Sequence, residues 1–583
     1  MASSGNFATF NPLAYKPSSY TTTGVAQGNM KLTEKTGNAA LLTMGFVNGD
    51  GKYYFEIFVS DVGGSSHMGV CIGNADLNNV TSGKAQIGYR FDGSSATKLV
   101  STAPQSNSSS SSYGDNSTGN NDIVACAVDF TNSTIEFFRN NTSQGSFSWS
   151  DANNGAVYYP YVYCNHGVIY LNCGQDSSFV GQKTSGSASA SDENGFGDFY
   201  YTPPSGFLAM CSANMPISSD IDPAGDDGET ENPSKQFGVV TFTGNGSSRT
   251  ISGLGFQPDM IWGKYRNATK RQYLVDSSRG FTKYLHPSEN VSEGTSSDGV
   301  TGATSDGFTI GGSLDYINTN TGNYVAWCWR MNGGTTATNN DGNVTTTVQA
   351  NTKAGQSILL FTGTSSNSRT LGHGLTKKPG FVIVKRRENS QSWNTWGPFH
   401  DDGSEQGQYG ALMLEGSGAH SNGSGALTYW YPSGMTTTTI GVGGASGNNN
   451  SGEDMMMWCF HDVKGYSAFN YYVGNNNVEG PYIHTGFRPR MLFIKRTDST
   501  GNWECRDTER DEFNPLDTTI VWDSDTTEAS SAASSAYPLD ICASGFKIRT
   551  TSANYNASGG FYIYGAWGDV PGKYGNTFKS NYQ

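Results

Sequence analysis

Charge is scarce in this 583-residue chain: Asp, Glu, Lys and Arg make up 15% of it, against about 25% in an average soluble domain. With 12% aromatic residues, that scarcity excludes a solvated, disordered polymer, which needs charge and few rings. A basic excess is missing too, since 36 Lys and Arg face 50 Asp and Glu for a net charge of -14. Nucleic acid is therefore not an expected partner. No run approaches the ~18 apolar residues of a spanning helix. Met1-Ala2-Ser3-Ser4 opens the chain without the basic and apolar regions of a leader, so a product that starts in a cytosol, without membrane insertion, is expected. The nine cysteines include no C-x-x-C pair and read as free, mostly buried thiols. The eight His are scattered without H-E-x-x-H spacing, and neither a G-x-S-x-G elbow nor a phosphate loop occurs, so no metal and no cofactor are expected. What the chain does have is Gly, 75 residues of it, and many Ser, Thr and Asn beside its aromatics. That is the composition of strands joined by polar turns, and the fold class it predicts is all-β.

The strands begin at Gly51-Lys52-Tyr53-Tyr54-Phe55-Glu56-Ile57 and continue through His67-Met68-Gly69-Val70-Cys71-Ile72 and Ile87-Gly88-Tyr89-Arg90-Phe91. Residues 123–130, the turn Thr131-Asn132-Ser133 and residues 134–139 read as a hairpin, followed by strands near 158–163 and 168–172. In this order the segments resemble the SPRY family of concanavalin-like sandwiches, which implies two packed antiparallel sheets with loops gathered at their ends. The module is assigned to residues 1–217. Residues 218–236, acidic and broken by Pro223 and Pro233, read as a linker.

Beyond the linker the sequence repeats. Gly-Phe-Gln-Pro258 and six residues later Lys264, Lys-Lys-Pro379 and Lys385, and Phe-Arg-Pro489 and Lys495 each frame an apolar run. Each copy closes on an aromatic strand ending at Trp329, Phe460 or Trp567. A Pro suits a strand entrance, and a run without alternation reads as a strand buried on both faces. The prediction is three homologous antiparallel β-sandwiches in tandem: residues 237–334, 355–467 and 468–583. Residues 335–354 form a second flexible or extended linker, and the last two copies pack as a rigid pair.

The order of the lectin-like module and the three repeats resembles uncharacterised virion proteins of marine tailed phages. That resemblance implies a virion appendage, assembled in the host cytoplasm and used at the host surface. It implies other virion proteins and a host glycan or outer-membrane component as partners, and a homo-oligomer, with a trimer favoured. A tail-fibre receptor binder is the first expectation, a structural decoration or adaptor protein the second, and a glycan depolymerase the third. For the last, Asp401, Asp402 and Glu405, Asp507 with Glu509 and Asp511, and Asp523 with Asp525 are the acidic clusters considered. Each reads equally as a solvated turn, so no catalytic residue is assigned and the chain is not expected to be an enzyme.

Asp276 with Arg279 and Asp507 with Arg510 sit 18 and 21 residues after their prolines, where copy two has Gly397 and His400. A recurring D-x-x-R reads as a turn-bracing ion pair. Fourteen residues after the proline stand Gln272, Trp393 and Trp503, with Trp396 close by. Trp393, Trp396, Trp503 and His400 are the candidate ligand-binding residues, because an exposed indole beside Asn or Asp stacks on sugar faces. The competing reading folds these Trp back as caps on a core.

Overall fold

The computed structural model describes residues 7–15, 24–34, 38–72, 85–91, 96–101, 107–115, 118–150, 157–184, 190–215, 232–397, 410–421, 429–530 and 538–568. Antiparallel sheets dominate these residues and the helices are single turns, as the all-β expectation has it. The chain divides into two compact units, one of residues 1–216 with 481–484 and one of residues 217–480 with 485–583.

In the N-terminal unit two sheets enclose one core. The first runs, edge to edge, Phe10–Tyr15, Asn38–Leu42, Tyr158–Cys164, Ser66–Ile72, Gln86–Phe91, Ala96–Val100 and Ser109–Ser112. The second runs Thr142–Ser148, Thr134–Arg139, Ile123–Asp129, Lys52–Asp61, Gly167–Asn172, Lys31–Glu34 and Gly24–Ala26. Tyr53, Phe55, Ile57 and Val59 meet Met68, Val70, Tyr89 and Val162 across the gap, the inward set of alternate side chains expected of packed sheets. The 129–134 hairpin closes as its sequence suggests. Asp129 accepts from the Thr131 and Asn132 N–H groups at 2.9 and 3.0 Å, and Ser133 takes a positive φ of 51°.

The second unit is built on three large sheets with one strand order, beside smaller two- and three-stranded sheets. We label its strands β1 (Phe237–Thr243), β2 (Met260–Tyr265), β3 (Tyr273–Asp276), β4 (Asn323–Trp329), β5 (Ala337–Asn339), β6 (Thr346–Asn351), β7 (Gln356–Thr362), β8 (Phe381–Arg386), β9 (Asn394–Trp396), β10 (Asp454–Phe460), β11 (Ser467–Val473), β12 (Met491–Arg496), β13 (Trp503–Asp507) and β14 (Phe561–Trp567). The three orders are β1-β4-β2-β3, β7-β10-β8-β9 and β11-β14-β12-β13. In each, the strand behind the proline pairs with the aromatic strand, so that Met260 lies opposite Trp329, Phe381 opposite Phe460 and Met491 opposite Trp567. All six residues of β2 are buried, as a run without alternation implies.

The sandwich expectation holds for the first two copies: Ile251, Phe308 and Ile310 of a small sheet pack on Val240, Ile261 and Ala326 of the first large sheet, and Leu371, Ile440 and Val442 on Val382, Val384 and Met455 of the second. The copies are not independent, however: the other faces of the three large sheets merge into one aromatic core containing Phe237, Trp262, Trp327, Trp329, Phe381, Trp458, Phe460, Phe493, Trp503, Trp522 and Trp567. A sheet that is apolar on both faces needs a layer on each, and the second layer here is the other two large sheets. One expectation is corrected: residues 335–354 are not a linker. They contain β5 and β6, a hairpin that extends the second sheet through pairing of β6 with β7. Thr and Val suit that edge, and Asn340-Asp341-Gly342 lies in the turn between the two strands.

Candidate functional site

The residues that the sequence singled out converge on the places where the three sheets meet. Trp329, Phe460 and Trp567 come together: their ring centroids lie 5.5, 6.3 and 5.4 Å apart pairwise, two of the contacts being edge-on. Each is at most 2% exposed. Edge-to-face rings add about 0.5–1.5 kcal/mol per pair beyond burial, so the terminal aromatics act as a shared keystone.

Around this centre the contacts run in a cycle. Gln272 of the first sheet donates to the Val521 and Trp522 carbonyls of the third at 2.8 and 2.9 Å. Trp503 of the third donates its indole N–H to the Met413 carbonyl of the second at 3.0 Å. Trp393 of the second donates to the Glu289 carbonyl of the first at 2.9 Å. The residue fourteen positions after each proline is thus a seam residue. Trp393 and Trp503 are fully buried, so of the two readings the core cap describes them, and neither presents a face to an external sugar. Trp396 is half-buried, with Lys378 Nζ 5.2 Å from its ring. His400, Asp401, Asp402 and Glu405 lie outside the described residues.

The lysines follow the same logic. Lys264 Nζ donates to the Lys270 carbonyl at 2.6 Å and to that of Asp525, on the neighbouring sheet, at 2.9 Å. Lys495 donates to Gly501 in its own loop at 2.6 Å and to Gly418 across its seam at 2.7 Å. Lys385 donates to the Gln391 carbonyl. Burial pushes all three ammonium groups down to about 8. The unfolded value is about 10.4, so between pH 8 and 10 the unfolded chain binds more protons and these lysines make stability rise with pH. Replacing all three by Met should flatten that rise, by on the order of 1–3 kcal/mol per lysine, in unfolding curves recorded across this window.

The D-x-x-R pairs are present, and they are buried rather than exposed. Arg279 meets Asp276 at 2.7 Å and Arg510 meets Asp507 at 2.6 Å, with all four side chains sealed from solvent. Each pair extends across a seam. Arg279 also meets Glu293, which pairs with Arg387 of the second sheet, both at 2.9 Å. Arg510 likewise meets Glu528, which pairs with Arg266 of the first sheet, both at 2.9 Å. Burial pushes the Asp507 carboxyl up, but Arg510, its hydrogen bonds and the Trp327 indole N–H at 3.0 Å together hold it below the ordinary carboxylate range. At the third seam Gly397 stands in the Asp position, and there the described contacts are to backbone, such as His420 N–H to the Thr497 carbonyl at 2.8 Å.

Sequence reasoning missed one recurrent residue. Asn318, Asn449 and Asn556 each lie eleven residues before the closing aromatic and are fully buried. Asn318 donates to the Ser247 and Gly312 carbonyls, both at 2.8 Å, and Asn556 to those of Asn477 and Thr550, also at 2.8 Å. Asn449 donates to Ser366 at 2.9 Å and accepts from Thr364 N–H at 2.7 Å. The fixed spacing was the available signal. In the N-terminal unit, buried Glu56 was also missed. It accepts from the Tyr200 and Tyr201 N–H groups at 2.9 Å, with Tyr54 and Asn172 completing its shell, and so ties residues 200–201 onto the sandwich. Burial pushes its carboxyl up to about 7, against those hydrogen bonds.

Eight of the nine cysteines are buried and none is in a disulfide. Among the described residues no group of three His, Cys, Asp or Glu is placed to hold a metal, and no helix is long and apolar enough to cross a membrane. The arrangement is chemistry of cohesion: buried donors, acceptors and ion pairs that hold sheets together.

Fold and seams define an all-β protein with a two-sheet sandwich followed by a closed set of three sheets. Residues 52–175 match the SPRY domain, and residues 232–571 match the family described as Domain of unknown function (DUF7483). The second match spans more than half of the chain, which therefore belongs to that family. Over 171 residues the chain is 26% identical to the ATP-dependent RNA helicase Ddx1 of Drosophila melanogaster, covering 29% of this chain and only 19% of the helicase. Similar solved structures include the TRIM65 PSpry domain, at 13% identity, 28% of this chain, 92% of that one and a TM-score of 0.21. The SPRY domain of human HERC1 is another, at 14% identity, 28% and 96% coverage and a TM-score of 0.20.

Proposed function

We propose that this chain is a non-catalytic binding protein of a phage virion, in which the SPRY-type sandwich recognises a host-surface component and three homologous repeats form its rigid base. The observation that carries this reading is the commitment of the repeated chemistry to cohesion. Asp276, Arg279, Asp507, Arg510, Lys264, Lys385, Lys495, Trp393 and Trp503 all spend their polar atoms on neighbouring strands and loops. Recognition then falls to the sandwich, a fold that hosts binding loops on a stable scaffold. The host glycan or outer-membrane partner, the homo-oligomer and the virion location belong to this proposal and rest on the resemblance of the domain order. Weak contacts multiplied by an oligomer would supply avidity.

The test is adsorption. Purified full-length protein should bind host cells and compete with phage for them, and a SPRY-unit variant with altered loops should lose both. Protein that neither binds cells nor delays adsorption refutes the reading. The interlocked base equally suits a structural decoration or adaptor, and cryo-electron microscopy of particles separates the two: density on the head shell favours decoration, density at the tail tip favours recognition.

A further inference from the structure

The three sheets of the base treat the same strand edge in three ways. In the second sheet the outer edge of β7 is covered by β6, Gln349 pairing with Ile358 and Thr347 with Leu360. In the third sheet the outward N–H groups of β11 are satisfied locally: Ser467 by the Val463 carbonyl at 2.8 Å, Phe469 by Asp462 Oδ1 at 2.5 Å, and Tyr471 by Asn470 Oδ1 at 2.8 Å. In the first sheet, β1 pairs among the described residues with β4 alone. The bonds from Arg330 to Gln236 and from Gly244 to Gly322 set the phase of that ladder, so Gly238, Val240 and Phe242 face β4 while Val239 and Thr241 face outward. Among the described residues the outward N–H groups of Val239 and Thr241 have no partner.

We infer that the outer edge of β1 is a docking site for an extended segment of another polypeptide, which adds to the first sheet as an antiparallel strand. The occupant's chemistry is given by β6, the strand that fills the matching edge of the second sheet. It is an uncharged run of Thr, Val, Gln and Ala whose N–H and C=O groups complete the ladder and whose alternate side chains, such as Val348, are buried. Strand addition draws affinity from main-chain bonds and specificity from alternate side chains. Exposed edges are otherwise blunted by charge, proline or cover, and β1, Phe-Gly-Val-Val-Thr-Phe-Thr, carries neither charge nor proline. The chain's own residues at the corresponding sequence position, Asp227-Gly228-Glu229-Thr230-Glu231, bring three carboxylates and a glycine, a poor strand composition.

The test uses the full chain and a labelled peptide with the sequence of residues 344–351, Val-Thr-Thr-Thr-Val-Gln-Ala-Asn, followed by fluorescence anisotropy. Saturable binding is expected. It should weaken about 10-fold or more when the peptide is N-methylated at Gln349, or when the protein carries Thr241→Pro, since each removes a ladder bond. Proline is tolerated on an edge whose N–H faces outward, so the Thr241→Pro chain should keep its circular dichroism; if it does not, the N-methylated peptide decides alone. Absence of saturable binding, or binding indifferent to both changes, overturns the inference. So does a 10-fold gain in affinity on deleting residues 217–231, which would make the chain's own segment the occupant. A concentration-dependent dimer abolished by Thr241→Pro, seen in sedimentation velocity, would make it a second copy and likewise overturn it.

Discussion

Trp567→Ala should cost the base about 3–5 kcal/mol, the range for truncating a large buried aromatic. Trp567 contacts Trp329 and Phe460, one from each of the other sheets, and also Phe469 at 5.1 Å and Phe237 at 6.0 Å. A single truncation therefore opens a cavity bordered by all three sheets, and domain stabilities of ~5–15 kcal/mol leave little margin. Urea unfolding should show one transition moved to lower denaturant while that of the SPRY-type unit, whose core holds Trp149 and Tyr158, stays in place. Three separate sandwiches would respond differently: only the third would unfold early, with a correspondingly small slope in denaturant.

Asp507→Ala should be nearly as damaging. It leaves the Arg510 guanidinium sealed from solvent with Glu528 as its remaining acid, and breaking a buried pair from one side costs about 3–5 kcal/mol. Asp507→Ala with Arg510→Met should recover part of the loss, because the unpaired buried charge goes with the arginine. The pH dependence has a definite sign. A carboxyl held below its ordinary value, here by Arg510 against the opposing effect of burial, contributes stability that is fully present above the unfolded value of about 3.9. That contribution is lost as pH falls through the folded value. The acid limb of the stability curve should be shallower in Asp507→Ala than in the parent, measured by denaturant unfolding between pH 2 and 5. An unchanged limb would mean that the pair is not coupled to folding.

Much of this architecture was legible because its elements are local. Apolar runs behind Pro258, Pro379 and Pro489 read as doubly buried strands, and β2, β8 and β12 are buried along nearly their whole length. The seams were not legible. Glu293 and Glu528 complete equivalent ion chains but follow Arg279 and Arg510 at different distances in sequence, so no offset betrays them. Trp393 and Trp503 were ambiguous because whether an indole after a turn points outward or into a neighbour depends on a sheet that arrives from elsewhere in the chain. Gln272 at the matching offset has no indole, yet it makes the same kind of cross-seam bond with an amide. Thr-rich β6 was masked by its Asn and Gly neighbours, and its pairing partner β7 is what makes it a strand.

One consequence of joining three like sheets in one polypeptide concerns divergence. A homotrimer presents every edge and every seam three times, and any substitution is made in triplicate. In this chain each position can change alone. The ion chain persists at two seams while the third has Gly397 in its place, and one edge carries a hairpin, another is satisfied locally and the third pairs with no further strand among the described residues. Covalent linkage thus turns a symmetric scaffold into a surface with a unique address, on which a single partner can be placed once per chain.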